Sequence, residues 1–306
     1  MFNLDNVDLK LLRVFQKVVE CGGFSAAQTE LHIDLSTISN SIAALEDRLG
    51  VRLCDRGRGG FRLTDAGRTV HTAAERLFGA VAEFQAEAGT LNDEVSGELN
   101  IGLVDGIVTS PSFALHDAIR RFERRKGNVR IRLSIGLPQD LVQGVRDGRL
   151  HLAITGVQTS RLKGLTYRKL CTEDFYCYCG RGHPLFQKAA NDTTLEDIYR
   201  HRLIAPTYWD PPFLEPSKFE YTATVRHLEP QLIFLLSGDY IGYLPSHFAE
   251  PWVAKDELRA LLPQRLHNTG ILYLIQRRGI PVTRTLSAFE NDIIAAFSHQ
   301  AYRRTN

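Results

Sequence analysis

Apolar positions in the first 50 residues recur at three- and four-residue steps in two runs, with a short segment between them. From Asp8 to Glu20, the residues Leu11, Leu12, Phe15, Val18 and Val19 fall on one face, which predicts an amphipathic helix. Cys21-Gly22-Gly23 stops it. Ser25 and Gln28 have capping-box spacing and predict a short helix from Ser25 to about Leu31. Asp34 or Ser36 then caps a third helix. Its Ile38, Ile42, Leu45 and Leu49 lie on one side, and Thr37, Ser39, Asn40, Ser41 and Ala43 lie on the other. Next comes a change of chemistry: Arg48, Arg52, Arg56, Arg58 and Arg62 fall within fifteen residues, against Asp55 alone. They surround a Gly57 to Gly60 tip that can turn tightly. Helix, short turn, polar-faced helix and arginine-rich hairpin, in that order, predict a winged helix-turn-helix.

Thr64 is placed to cap a long helix in which Val70, Ala74, Leu77, Val81, Phe84, Ala88 and Leu91 alternate steps of four and three. This is a heptad seam, which predicts pairing with a second subunit; packing on its own domain is the alternative use of the stripe. Asn92 to Gly97 is a polar, acidic break. After it, strands and helices alternate: strands at Leu99–Val104, Val129–Ile135 and His151–Ile154, with helices at Pro111–Arg125 and Leu141–Arg149. The rhythm repeats with strands at Phe175–Cys179, Leu203–Ala205, Tyr240–Leu244 and Ile271–Ile275, and helices at Pro230–Ser237 and Val282–Phe297. It predicts an α/β sheet wrapped by helices. About 210 residues suffice for two compact lobes.

Charge sharpens the picture of the amino-terminal module. The whole chain is only +2, and its first 64 residues hold eight basic and eight acidic side chains. Its cations are concentrated on one helix end and the wing, so they suit a few phosphates rather than a broad basic surface. The outward hydroxyl and amide side chains of the third helix suit base edges in a major groove. Elsewhere the chain lacks the sequences G-x-x-x-x-G-K-[ST], G-x-S-x-G and H-E-x-x-H, so no nucleophile set, phosphate cradle or metal motif is ordered along it. An enzyme built on a solute-binding scaffold and a transport receptor are therefore the weaker readings. No catalytic residue, metal ligand or cofactor is assigned. The first 20 residues are charged and amphipathic, and no apolar run of about eighteen residues is available for a membrane span. A cytoplasmic protein is expected. The five cysteines fit a reduced compartment. Cys177 and Cys179 share one face of a predicted strand, the pattern of core packing; a thiol-based response to oxidants is the alternative trigger.

The run from Phe15 through Gly67, including GGFSAAQTELHIDLSTISNSIAALEDRLGVRLCDR and the closing RLTDAG, resembles the DNA-binding domain of LysR-type transcriptional regulators. Ala26-Ala27, the Ile42-x-x-Leu45-Glu46-x-x-Leu49-Gly50 block, Leu53 with Asp55-Arg56, and Leu63-Thr64-x-Ala66-Gly67 all sit at family spacing. The resemblance continues more loosely beyond this run. It departs where the family opens its recognition helix with Ser-Gln and later carries Arg-Gln; here stand Asp34-Leu35 and Asn40-Ser41. The resemblance implies Ser36, Thr37, Ser39 and Asn40 as groove contacts, with Arg48, Arg56, Arg58 and Arg62 on the DNA backbone. It also implies a homodimer or homotetramer paired through the 65–95 helix, an imperfect inverted repeat as the double-stranded DNA target, and a role alongside RNA polymerase. The expected organisation is a 1–64 DNA-binding domain, the 65–95 linker helix and a 96–306 effector-binding domain. That last domain would be periplasmic-binding-protein-like, with lobe one at 97–167 plus 270–306 and lobe two at 168–269.

A small-molecule effector would lie between the lobes. Asp105, Gly106, Ile107 and Thr109 would come from the first loop, Leu137, Pro138 and Gln139 from the second, and Pro206, Thr207, Tyr208 and Trp209 from the facing lobe. A carboxylate at Asp105 disfavours an anionic effector, whereas Tyr208 and Trp209 favour an apolar or aromatic one that brings a donor for Asp105.

Overall fold

The computed structural model describes residues 4–57, 60–89, 96–125, 127–156, 161–188, 193–206, 215, 218, 222–279 and 283–305. The chain divides into two compact units, residues 1–84 and 85–306.

In the first unit, α1 (Asn6–Glu20), α2 (Phe24–Leu31) and α3 (Leu35–Leu49) precede a hairpin of β1 (Cys54–Gly57) and β2 (Gly60–Leu63), and α4 (Asp65–Gly89) follows. Their shared core is the set of apolar positions that the periodicity picked out: Phe15, Val18, Ile38, Ile42 and Leu45 are fully buried. Asp5 and Asp8 form the capping box of α1. The box expected at Ser25 is absent. Gly22 and Gly23 turn with positive φ, Gly23 becomes the N-cap of α2, and Ser25 falls inside the helix. That turn brings Phe24 to the helix start, edge-on to Phe61 of the hairpin at 5.9 Å. Thr64 accepts from the Gly67 N–H at 2.9 Å and caps α4 as expected. The amino-terminal part of the α4 stripe is used within the unit: Ala74 is buried in this core, with Val70 and Leu77 packed against it. Phe84 is 70% exposed, so the stripe turns outward only toward its far end. The side chain of Ala88 and the whole of Leu91 lie outside the described residues.

The second unit is built on a sheet of nine described strands in the order β4-β3-β5-β11-β6-β9-β7-β8, with β10 paired to β6. At one end, β3 (Ser96–Leu103) lies parallel to β4 (Asn128–Ile135) and β5 (Leu152–Gly156), wrapped by α5 (Leu115–Glu123), α6 (Pro138–Asp147) and the carboxyl-terminal α10 (Arg284–Thr305). At the other end, β7 (Arg202–Pro206) lies parallel to β8 (Ala223–Val225) and β9 (Tyr240–Pro245), beside α7 (Leu195–Tyr199), α8 (Leu228–Leu236) and α9 (Ser246–Val253). The short β10 (Leu258–Ala260) also belongs to this end. Two long antiparallel strands join the ends: β6 (Leu165–Gly180) and β11 (His267–Arg277), with an irregularity between Leu272 and Tyr273. Only parts of both strands were legible beforehand. The helix expected from Pro111 starts at Leu115, because a 3-10 turn at Ile107–Thr109 and a turn closing from Phe113 N–H to Ser110 C=O come first. Those turns deliver Ile107, Phe113 and Ala114 into the core.

Candidate nucleic-acid interface and effector cleft

The face of α3 opposite its core residues is polar and open: Ser36, Thr37 and Asn40 are exposed, while Ser39 is half-buried. The Ser41 hydroxyl donates to the Thr37 carbonyl at 2.8 Å and so stays on the helix. Thus the expected groove residues share one side. A surface cavity of about 530 Å³ adjoins them, lined by the Gly22–Ala26 turn, Leu35, Ser39, Gly60 and Phe61. The hairpin is anchored beneath by Glu46, whose Oε1 accepts from the Leu53 N–H at 2.7 Å and the Cys54 N–H at 3.2 Å.

The five arginines separate by role. Arg48, expected on the DNA backbone, is engaged within its own unit. Its Nη2 donates to Asp5 and to Asp8 at 2.8 Å each, and its Nε donates to the second oxygen of Asp8, a fully buried residue. The guanidinium holds the Asp8 carboxyl below the usual carboxylate range, chiefly through these hydrogen bonds. Arg48 therefore ties α3 to the start of α1. Arg52 stands 3.7 Å from Asp55. Arg62 is exposed on β2, in register with Asp55. Arg56 lies on β1 opposite Phe61, but its side chain is outside the described residues, as is Arg58 altogether.

In the second unit, the first loop after β3 meets the opposite end of the sheet directly. Asp105 Oδ2 accepts from the Leu228 N–H at 2.6 Å and lies 3.4 Å from His227 Nδ1, so the carboxylate caps the first turn of α8. A helix amino terminus offsets its negative charge. Gly106, with φ of 66°, allows this approach; a Cβ there would stand 2.4 Å from Leu228 Cδ1. Thr109 Oγ1 lies 2.7 Å from His247 Nδ1, and His247 Nε2 lies 2.9 Å from Glu173 Oε1. His247 and Glu173 are buried. The second loop supplies Pro138 and Gln139 at the start of α6, and Asp140 reaches to 3.7 Å from Arg226.

Two expected lining residues are corrected: Ile107 belongs to the core of its lobe, and Leu137 is buried as the N-cap of α6. Pro206 ends β7 with its side chain undescribed, and Thr207, Tyr208 and Trp209 lie outside the described residues. The facing residues that sequence reasoning missed are Arg226, His227, Leu228, His247 and Phe248. Only the helix starts they occupy could have signalled them.

Cys177 and Cys179 are both fully buried, side by side on one face of β6. Burial pushes both thiols up, that of Cys179 to about 12. Nearly all of each is therefore protonated at neutral pH and poorly reactive. Among the described residues no helix is long and apolar enough to cross a membrane.

A winged helix-turn-helix with a polar outward helix, joined to an α/β domain whose two lobes meet through the Asp105–Leu228 and Thr109–His247 contacts, is the architecture of a DNA-binding regulator. Comparison with known proteins places it further. Residues 9–68 match the model of the bacterial regulatory helix-turn-helix protein, lysR family, and residues 92–297 match that of the LysR substrate binding domain. The HTH-type transcriptional activator BauR of Pseudomonas aeruginosa is 39% identical over 278 residues, covering 90% of this chain and 91% of BauR. A probable hydrogen peroxide-inducible genes activator of Mycobacterium xenopi is 30% identical over 177 residues, 58% of this chain and 92% of that protein. Among solved structures, the LysR family regulator CbnR matches with a TM-score of 0.61 at 18% identity, over 94% of this chain and 98% of CbnR. The chain belongs to the LysR family of transcriptional regulators.

Proposed function

We propose that this regulator binds an imperfect inverted repeat in double-stranded DNA as a homodimer or homotetramer, and that an effector held between the lobes changes the spacing of its recognition helices. Ser36, Thr37, Ser39 and Asn40 read base edges, while Arg56, Arg58 and Arg62 grip phosphates. Pairing uses the linker stripe of Val70, Ala74, Leu77, Val81, Phe84, Ala88 and Leu91, of which Phe84 is exposed and Ala74 is taken by the core of its own unit. The boundaries are 1–64, 65–95 and 96–306, with the second unit divided into lobes at 97–167 plus 270–306 and at 168–269. The protein works in the cytoplasm, regulates initiation by RNA polymerase, and carries out no catalysis.

The observation that supports this most is the split of α3: Ser36, Thr37 and Asn40 are exposed, whereas Ile38, Ile42 and Leu45 are fully buried. A gel-shift titration on the promoter fragment upstream of the protein's own gene tests it. Arg62→Ala should weaken binding to all sequences and reduce the salt slope by about 0.9 per half-site, about 1.8 for a dimer, and Asn40→Ala should relax preference mainly at one base position of each half-site. A change of sequence preference at constant salt slope for Arg62→Ala would overturn the assignment.

For the effector, Asp105 is the anchor. Any ligand that takes its carboxylate must bring a hydrogen-bond donor and release the start of α8, which couples binding to the relation between the lobes. We assign to the site a molecule with such a donor on an apolar or aromatic body. Calorimetry in which only simple dicarboxylates bind, with Asp105→Ala leaving them unaffected, would refute this.

A further inference from the structure

We propose that Leu35 is a specificity-determining residue that reads the 5-methyl group of a thymine in each half-site. The inference rests on the reading of α3 as the groove-facing helix. Leu35 is the first residue of α3 and is 43% exposed, next to the exposed Ser36 and Thr37; it stands at the open end of the stripe that Ile38, Ile42 and Leu45 continue into the core, one turn before burial begins. It lines the open cavity of about 530 Å³ together with Ser39 and with Phe24 and Phe61, whose two rings form a partly apolar wall. The core does not use this leucine, and the helix does not need it, since its N-cap is Asp34.

The first residues of a recognition helix are those that meet base edges. A leucine there can neither donate nor accept, so hydrogen-bond readout is closed to it. Base edges in the major groove offer such a side chain one apolar group, the thymine C5-methyl. Burying that methyl against Leu35 removes apolar surface from water on both partners. Discrimination at this position is therefore carried by one methyl group rather than by an amide or guanidinium.

The experiment uses the full chain and a duplex that it selects from a randomised pool. Each thymine in the selected duplex is replaced in turn by deoxyuridine, which removes only the methyl group, and affinity is measured by gel shift. Wild type should select a thymine at one position of each half-site, and its replacement should weaken binding about fourfold per half-site, the equivalent of about 0.8 kcal/mol for one buried methyl group. Both half-sites together should give roughly fifteenfold. Leu35→Ala should bind the thymine and uracil duplexes equally, measured well below its thermal transition. Wild type that binds its selected duplex but is indifferent to every replacement would overturn the proposal. So would Leu35→Ala that keeps the wild-type discrimination. Failure to select any sequence is a different result, and it would overturn the DNA-binding reading itself.

Discussion

Glu46 gives the most direct test of how the amino-terminal unit is held together. Its carboxylate accepts the backbone N–H groups of Leu53 and Cys54, two residues that are 0% and 2% exposed at the entry to the hairpin. In Glu46→Ala both N–H groups lose the carboxylate in a site that the core has closed to water. A hydrogen bond to a charged group contributes about 1.5 to 3 kcal/mol, and an orphaned buried donor costs a similar amount. The Cys54 bond is long at 3.2 Å, so the two together are set at about 3 kcal/mol rather than the upper sum. For a unit of this size that corresponds to a fall in the thermal midpoint on the order of 15 °C. Glu46→Gln keeps an acceptor oxygen without the charge and should lose about half as much. The assay is thermal unfolding of the full chain followed by circular dichroism, reading the transition of the amino-terminal unit. Gel shifts below that transition should show an unchanged salt slope, because Glu46 is engaged with the hairpin backbone rather than with phosphate. If alanine and glutamine lower the midpoint equally, or if neither moves it by more than a few degrees, the anchoring argument fails.

Other substitutions separate structural from DNA-contacting charge and locate the acid limits of each unit. Arg48→Ala should destabilise the amino-terminal unit while leaving the salt slope of DNA binding intact; a shallower slope at normal stability would put Arg48 on phosphate after all. Because Arg48 holds the Asp8 carboxyl down, the stabilisation is present above the ordinary aspartate value and is lost as pH falls through the lowered one. Arg48→Ala should therefore raise the pH midpoint of acid unfolding, as followed by circular dichroism. Burial first, and the neighbouring His201 second, push His183 down to about 4, and its Nδ1 accepts from the Leu185 N–H at 3.1 Å. The neutral ring is thus favoured in the fold, so the second unit should lose stability as pH drops from about 6.5 toward 4. His183→Asn should flatten that part of the denaturation profile, and an unaltered slope would exclude His183 as its cause. Gly67→Ala would set a Cβ 1.9 Å from the Leu53 carbonyl oxygen; a loss of more than about 2 kcal/mol in urea unfolding is expected, since backbone must move to relieve it.

Local periodicity along the chain was enough to reveal α1, α3 and the polar face of α3, because a helix repeats every 3.6 residues whatever surrounds it. Five arginines around a glycine-rich tip were equally plain. What they touch was not. Arg48 finds its carboxylates 40 and 43 positions earlier in the chain, and no local pattern encodes that meeting. The α4 stripe shows the same limit from the other side. Its spacing says that Val70, Ala74 and Leu77 are to be covered, but only the packed unit shows that its own helices cover them. In the second unit the strand-helix alternation was visible, and Asp105 and Thr109 stood out as loop residues after a strand. Their partners, the Leu228 N–H and His247, lie 123 and 138 positions away. The β6 strand was legible only from Phe175 to Cys179, since its exposed and buried positions change pattern as it passes from one end of the sheet to the other. Sequence determined which residues had a face to bury or a charge to place. Tertiary structure alone decided against what, because contact between distant segments depends on how the whole chain closes on its cores, not on the spacing within any one of them.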